Sequence, residues 1–477
     1  METQKKKSSF TGSLGFILAA AGSAVGLGNI YRFPYLAARG GGGLFILMYI
    51  ILALTIGYVL LTTDIALGRK TGCSSIDAYA KISKKWKFVG VMAFIVPTII
   101  MCYYSVIGGW IVKYLADFLS KDMGVMTDDS YFGNFITSHI SPIVFMLIFL
   151  AITAFVVYCG VEKGIEKFSK IIMPGLIFLI LGIAIFALSQ SYTDENGTRT
   201  GLDGLKIFLI PNFKGITLTR FFQILLDATC QLFYSLSVAM GIMITYGSYV
   251  KKETNLSKSV IQIELFDSGV AILAGLMVIP AVFVFQGMPG LEKSGPSLLF
   301  VTLPKIFNAM GGVGRFIGIA FFVMVLFAAL TSSVSIMEAV VANLMQKFNK
   351  TRKQISLYAS IFFATIAVIV CLGYNIFYFE WTLPNGAVAQ ILDVLDYFSN
   401  YLLMPIISLI TCIIIGWIVK PKYILDEMEV GAENANKTKF GKVTKKFRNG
   451  LYYVIIKYIA PLMMVLLLLQ ALGVLKF

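Results

Sequence analysis

Between Gly22 and Arg32 the chain reads G-S-A-V-G-L-G-N-I-Y-R, placing three glycines, an asparagine and an arginine inside an otherwise apolar run. Glycine weakens a helix interior by about 1 kcal/mol relative to alanine, and an arginine at membrane depth must face protein or water. Such a stretch predicts a discontinuous helix. Backbone freed from helical pairing survives in a bilayer only beside a cavity, where carbonyls bind cations and helix N-termini bind carboxylates. A second interruption follows between Asp227 and Thr245, D-A-T-C-Q-L-F-Y-S-L-S-V-A-M-G-I-M-I-T, rich in hydroxyls and amides. Two broken helices five spans apart point to an inverted repeat whose breaks meet at the bilayer midplane and form a binding site. Read more plainly, the same glycines and serines are small-residue contacts between packed helices.

The elements that would position these residues are set by composition. Of 477 residues, 58% are hydrophobic and 14% charged, and the mean hydropathy is +0.82. Apolar runs of about 20 residues, enough to cross a hydrocarbon core, recur at roughly 12–37, 42–68, 88–119, 140–158, 168–189, 217–249, 260–286, 313–345, 355–375, 388–419 and 451–474. The expected fold is therefore an all-α polytopic membrane protein of eleven transmembrane helices. It is organised as a short N-terminal segment (1–11), a first repeat (12–190), a second repeat (191–420), a basic loop (421–450) and a last helix with the C-terminus (451–477).

The net charge of +15 follows from placement rather than from a nucleic-acid partner. With the N-terminus inside, 27 of the 40 basic residues fall in Lys5–Lys7, Arg69–Lys87, Lys163–Lys170, Lys251–Lys258, Lys347–Lys353 and Lys420–Arg448. This is the positive-inside pattern, and with eleven spans it predicts a cytoplasmic N-terminus and an extracellular C-terminus; a short basic-rich chain without a sequon-dense outer loop points to a bacterial inner membrane. Lys437–Arg448 also suits contact with anionic headgroups. The six cysteines lie singly, without C-x-x-C spacing, and read as small core residues. The sequon Asn196-Gly197-Thr198 would go unused in a bacterium. The single histidine, His139, and the lack of any nucleophile, metal or phosphate motif argue against an enzyme. Two different broken helices argue against a passive pore, and no appended signalling domain supports a sensor.

A-G-S-A-V-G-L-G-N-I-Y-R-F-P, G-G-G-G-L-F after it and L-T-S-S-V-S-I-M in the eighth span closely resemble the neurotransmitter:sodium symporter family over nearly the whole chain. The eleven spans are similar to those of a bacterial subgroup of amino acid transporters. The resemblance implies a five-plus-five inverted-repeat fold, sodium as the coupling ion, no other cofactor, a small-molecule partner, a monomeric or dimeric state and alternating access.

Carried over by residue, it implies a first sodium site at the Ala24 carbonyl, Asn29, Ser235 and Asp267, completed by the substrate carboxylate. A second would use the carbonyls of Gly22, Val25 and Ala328 with the hydroxyls of Thr331 and Ser332. This second cage has no formal charge and should release its ion more readily. Where chloride-dependent relatives place Asn, this chain has Asp267, and Ala271 stands where they have Ser. An internal carboxylate then replaces chloride, and transport is expected to be chloride-independent. Gly26 stands where amine transporters carry Asp, which implies an amino acid that brings its own carboxylate to the backbone of Leu27 and Gly28 and to Tyr104. An uncharged pocket of Ser23, Ile100, Tyr234, Ser237, Met240, Ser332, Ser335 and Ile336 suits a large aliphatic or aromatic side chain. The outer gate would be an Arg32–Asp396 ion pair with Gln231 nearby and Tyr104 and Tyr234 as its lid. The inner gate would use Lys7 and Phe10, although Gln346 stands where an acidic partner is expected. A sodium-coupled amine transporter and a non-transporting amino acid sensor are the alternatives.

Overall fold

The computed structural model describes residues 9–195, 197–213, 215–291, 295–432 and 439–475. Lys5–Lys7, Asn196 of the sequon and Lys437 lie outside the described residues.

The first apolar run forms two helices, α1 (Ser13–Ala24) and α2 (Gly28–Arg39), bent by 56° at the glycine-rich break. Four long helices follow, α3 (Gly43–Thr71), α4 (Lys84–Ser120), α5 (Ser141–Tyr158) and α6 (Val161–Ser189). The run expected at 217–249 is divided into α7 (Leu218–Ser235) and α8 (Ile242–Gly247). The chain continues through α9 (Leu256–Leu291), α10 (Gly312–Phe348), α11 (Arg352–Leu372), α12 (Ile391–Ile418) and α13 (Lys442–Ala471). Among the described residues, nine helices are long and apolar enough to cross a membrane, or ten with α1 and α2 taken as one span. The count differs from eleven at α7 and α8, where the polar residues that mark the interruption also dilute its hydropathy.

Local sequence explains most boundaries. Pro142 occupies the first turn of α5, where a missing N–H costs nothing. Thr351 and Gln354 form a reciprocal capping box at the start of α11. Arg69 and Lys70 close α3 on the favourable side of its dipole. Helix α6 begins seven residues earlier than the hydropathy suggests because a π-helical turn, Val161–Glu166, runs into it. Regular geometry in α9 stops at Gly287, whose φ is 66°. The basic stretch expected as a loop contains a short helix, Lys422–Glu429, and its later part joins α13.

Two short antiparallel hairpins, Ser191–Asp194 with Gly197–Thr200 and Trp381–Thr382 with Val388–Ala389, decorate the end opposite the N-terminus. In the core, α10 packs along α4 and α9 along α6, while α1 is wedged against α6, α9 and α10. The half-helix α8 lies against α3 at backbone distance. A Cβ on Gly68 would stand 1.9 Å from the Ile244 carbonyl oxygen, and one on Gly247 would stand 2.2 Å from that of Ile65. Such mutual small-residue contact fixes α8 without any hydrophobic gain from leaving lipid. Phe155, Phe178, Ile185 and Phe316 face outward and stay exposed, as a lipid-facing belt requires.

Candidate functional site

The two breaks and α9 converge on a buried knot of oxygens. Asn29, in the first turn of α2, is fully buried and donates through Nδ2 to Asp267 Oδ1 at 2.8 Å and to the Asp267 carbonyl at 3.3 Å. Ser235, the last residue of α7, places its Oγ 2.7 Å from Asp267 Oδ1 and 3.2 Å from Asn29 Oδ1. Tyr49 of α3 donates to the other carboxylate oxygen at 3.1 Å. Asn29 Oδ1 also accepts the Gly26 N–H at 3.1 Å, which ties the knot to the break itself. A fully buried carboxylate surrounded by neutral oxygens and no basic side chain is a donor set for a hard monovalent cation.

A second set of oxygens lies between α1 and α10. Ser332 Oγ stands 3.2 Å from the carbonyls of both Ser23 and Val25, and Thr331 Oγ1 donates to the Ala328 carbonyl at 3.0 Å. Gly22 faces the same point, since a Cβ there would meet Thr331 Cβ at 3.2 Å. All these oxygens are neutral.

Between the two sets lies a narrow cavity of about 30 Å³ lined by Ser23, Ala24, Gly26, Leu27, Gly28, Asn29, Ile100, Tyr104, Tyr234, Ser235, Ser237, Met240, Ser332 and Ile336. The pocket residues expected from sequence thus gather here with one exception. Ser335 donates to the Thr331 carbonyl and receives the Tyr246 hydroxyl at 2.8 Å. Ser332 and Ile336, four apart, share the helical face toward the cavity, and Ser335 is turned to α8 instead. Gly26 sets the cavity's width, because a Cβ would lie 2.8 Å from Ser332 Oγ and 3.5 Å from Tyr104 Oη. The Tyr104 hydroxyl is buried and has no hydrogen-bond partner among the described residues. It is a donor aimed at the space beside Gly26.

The expected outer gate is arranged differently. Arg32 donates to Cys230 Sγ at 3.2 Å and reaches the Tyr401 hydroxyl at 3.5 Å, with its guanidinium 5.5 Å from the Tyr234 ring centre. Asp396 accepts from Tyr103 Oη at 2.9 Å and Asn400 Nδ2 at 2.6 Å. The direct ion pair is therefore replaced by separate partners, because neutral donors on α4 and α12 already satisfy the carboxylate. Gln231 Nε2 donates to the Gly28 carbonyl at 3.1 Å. Beside these residues lies a cavity of about 320 Å³ lined by Arg32, Asp227, Tyr234 and Tyr401.

At the N-terminal end Lys7 lies outside the described residues. Phe10 is buried against Tyr246 and Tyr249, with ring centres 5.7 and 6.1 Å away. Gln346 binds Ser74 through both its amide atoms, so no charge is needed there. Three acidic residues absent from the sequence reading make buried contacts that tie packed segments together. Glu166 accepts the Thr11 N–H at 2.9 Å and also pairs with the Thr11 hydroxyl and Lys170. Glu338 is fully buried and pairs with Arg352 and the Tyr249 hydroxyl. Asp64 Oδ2 accepts the Ala239 N–H at 3.0 Å within the α7–α8 break. Acids inside apolar runs were the available signal, but the charge reading followed lysine and arginine.

A model of the sodium:neurotransmitter symporter family matches residues 7–132 and 136–475. An uncharacterised sodium-dependent transporter of Bacillus subtilis, YhdH, is 32% identical over 480 residues, covering all of both chains. Another from Methanocaldococcus jannaschii is 33% identical, over 87% of this chain and 82% of the relative. Among solved structures, that of MhsT in complex with L-phenylalanine superposes with a TM-score of 0.81 at 32% identity, covering 97% of this chain and 99% of that one.

Proposed function

Because the chain belongs to the sodium:neurotransmitter symporter family, we propose that it imports a neutral amino acid with a hydrophobic or aromatic side chain, by alternating access and without chloride. The observation that carries this reading is the unpartnered Tyr104 hydroxyl facing the space Gly26 leaves, next to the Asp267 knot. A substrate carboxylate placed there accepts from Tyr104 and from the N-terminal backbone of α2, whose dipole favours an anion. Its charge also completes a sodium shell with Ala24, Asn29, Ser235 and Asp267. The side chain then points toward Ile100, Tyr234, Ser237, Met240 and Ile336, an uncharged wall that penalises acidic and basic substrates. MhsT, which holds L-phenylalanine, supports an aromatic ligand for this geometry.

The second sodium occupies the neutral cage of Gly22, Val25, Ala328, Thr331 and Ser332 and leaves first. Asp267 supplies the negative charge that chloride would otherwise bring. Eleven spans in two inverted repeats, 12–190 and 191–420, with the N-terminus and the Glu166 and Glu338 contacts on the cytoplasmic side, complete the reading. The cavity is narrow, so substrate entry requires movement of α1 or of the Tyr234 side.

Uptake of labelled neutral amino acids and of their decarboxylated amines into proteoliposomes tests the proposal, with and without an inward sodium gradient and with chloride replaced by gluconate. Accumulation of one amino acid under a sodium gradient, unaffected by chloride removal and by competing amines, is the expected result. Preference for the amine would overturn the substrate reading, and binding without accumulation would indicate a sensor.

A further inference from the structure

The N-terminal third of α13 combines two features that a helix within a bilayer core does not, exposed apolar side chains and a dense run of lysines. Helix α13 has 30 residues and is about 45 Å long, whereas a hydrocarbon core is about 30 Å thick. Measured from its far end at Ala471, the core is crossed after about 20 residues, near Leu451. Lys457, inside that limit, reaches back one turn with Nζ to the Tyr453 hydroxyl at 3.0 Å, as a snorkelling lysine does. Residues 442–450 therefore project past the core edge into the headgroup layer. Phe447 is nonetheless 73% exposed and Val443 65%. Through Val454, they continue at helical spacing the outward stripe of Tyr458 and Leu462.

The basic residues of this segment divide by direction. Lys445 pairs with Glu429 at 2.6 Å and Arg448 donates to Ser257 Oγ at 2.7 Å, so both hold the helix to the protein. Lys442 and Lys446, four apart, share one exposed face beside Val443 and Phe447. Next to them runs a groove walled by Val443, Lys446, Phe447, Gly450, Leu451 and Val454. Gly450 makes its notch. A Cβ there would meet nothing within 4 Å, so no contact among the described residues demands a glycine. Glycine weakens a helix interior by about 1 kcal/mol, and here that weakening has no counterpart in the packing of the chain.

We propose that this groove binds one anionic phospholipid, with its phosphate at Lys442 and Lys446 and an acyl chain laid along Phe447, Gly450 and Val454 toward Tyr458. The apolar floor selects a lipid over a free phosphate, because an inorganic anion gains nothing from Val443, Phe447 or Leu451. A second copy of the chain does not suit the face, since a two-fold contact would set its lysines against their own copies. A zwitterionic lipid brings its own cation to the lysines. An anionic one gains about fivefold in affinity for each lysine near its phosphate.

Native mass spectrometry of the purified full-length protein in detergent, with added phosphatidylglycerol or phosphatidylcholine of the same acyl chains, tests this. One phosphatidylglycerol per chain should be retained in preference to phosphatidylcholine. Lys442→Gln combined with Lys446→Gln should weaken phosphatidylglycerol binding by about twentyfold and leave phosphatidylcholine unchanged. Lys442→Arg combined with Lys446→Arg should keep the preference. Gly450→Leu, which retains both lysines, should weaken binding several-fold by filling the groove. All these positions are exposed and outside the transport site, so thermal midpoints in lipid-free detergent should not fall. Equal retention of the two lipids, or undiminished phosphatidylglycerol binding in the glutamine variant, would overturn the proposal. Undiminished binding in Gly450→Leu would replace the groove by a diffuse basic surface. Displacement by glycerol phosphate at the lipid's own concentration would assign the lysines to free phosphate, and a lipid-free dimer that dissociates on Phe447→Ser would assign the face to a second copy; either result refutes the lipid site.

Discussion

The chain leaves helical geometry at 25–26 and again at 236–241, and the two departures differ in kind. At the first, Val25 adopts φ −72° and ψ 106°, an ordinary extended conformation, and Leu27 is already helical. The helix simply bends by 56° and frees a few carbonyls. At the second, Ser237, Ala239 and Gly241 have φ of 52°, 63° and 68°. Two of these are not glycine, and a left-handed residue with a Cβ costs about 1–2 kcal/mol. The surroundings hold them there, with Asp64 gripping the Ala239 N–H and α8 pinned to α3 through Gly68 and Gly247. The first break is local, whereas the second is imposed by tertiary contacts.

Four substitutions would break or sharpen that contrast. Gly26→Asp has the largest expected effect, because its side chain must enter space shared with Ser332 and Tyr104. Amino acid binding should be lost, and a scintillation-proximity assay showing normal affinity would refute the role given to the first break. Asp267→Asn removes the charge of the knot. At about 3 kcal/mol for disrupting a buried charge cluster, sodium should bind about a hundredfold more weakly in titrations without chloride. Partial recovery on adding chloride is expected, and no recovery would count against internal charge replacement.

Asp64→Ala leaves the Ala239 N–H without its acceptor at a cost of about 1–3 kcal/mol. It should lower the unfolding midpoint in a thermal-shift assay, with Asp64→Asn largely sparing it because an amide oxygen still accepts. Ala239→Gly is the smallest effect and has the opposite sign. Relief of the left-handed strain should stabilise by about 1 kcal/mol, whereas Val25→Gly, at a position with no strain to relieve, should not stabilise. Equal responses at the two positions would mean that the breaks do not differ as described.

Much of the centre was legible in order along the chain. Gly22 to Arg32 announced the first break because glycine and polar side chains are expensive in a lipid-facing helix, and the hydroxyl-rich run after Asp227 announced the second. Asn29, Ser235 and Asp267 were nameable in advance through family resemblance, since they come from helices far apart in sequence. Less was legible at the ends. The Arg32–Asp396 pair that the resemblance implies is not formed directly, and Cys230, Tyr401, Tyr103 and Asn400 take up the two groups, as neutral donors leave no mark in a charge pattern. Glu166, Glu338 and Asp64 carry no motif, and their importance depends wholly on what they face.

The sequence by itself determined that this is a bundle of apolar helices with two interruptions, because hydropathy and glycine content act over a few neighbouring residues and need no partner. Tertiary structure alone decided the rest. Whether Ser335 faces the cavity or Tyr246, and which donors meet Asp396, depend on rotation and register between helices. Those are settled by close packing between helices distant in sequence, where one turn of a helix separates a lining side chain from a buried one.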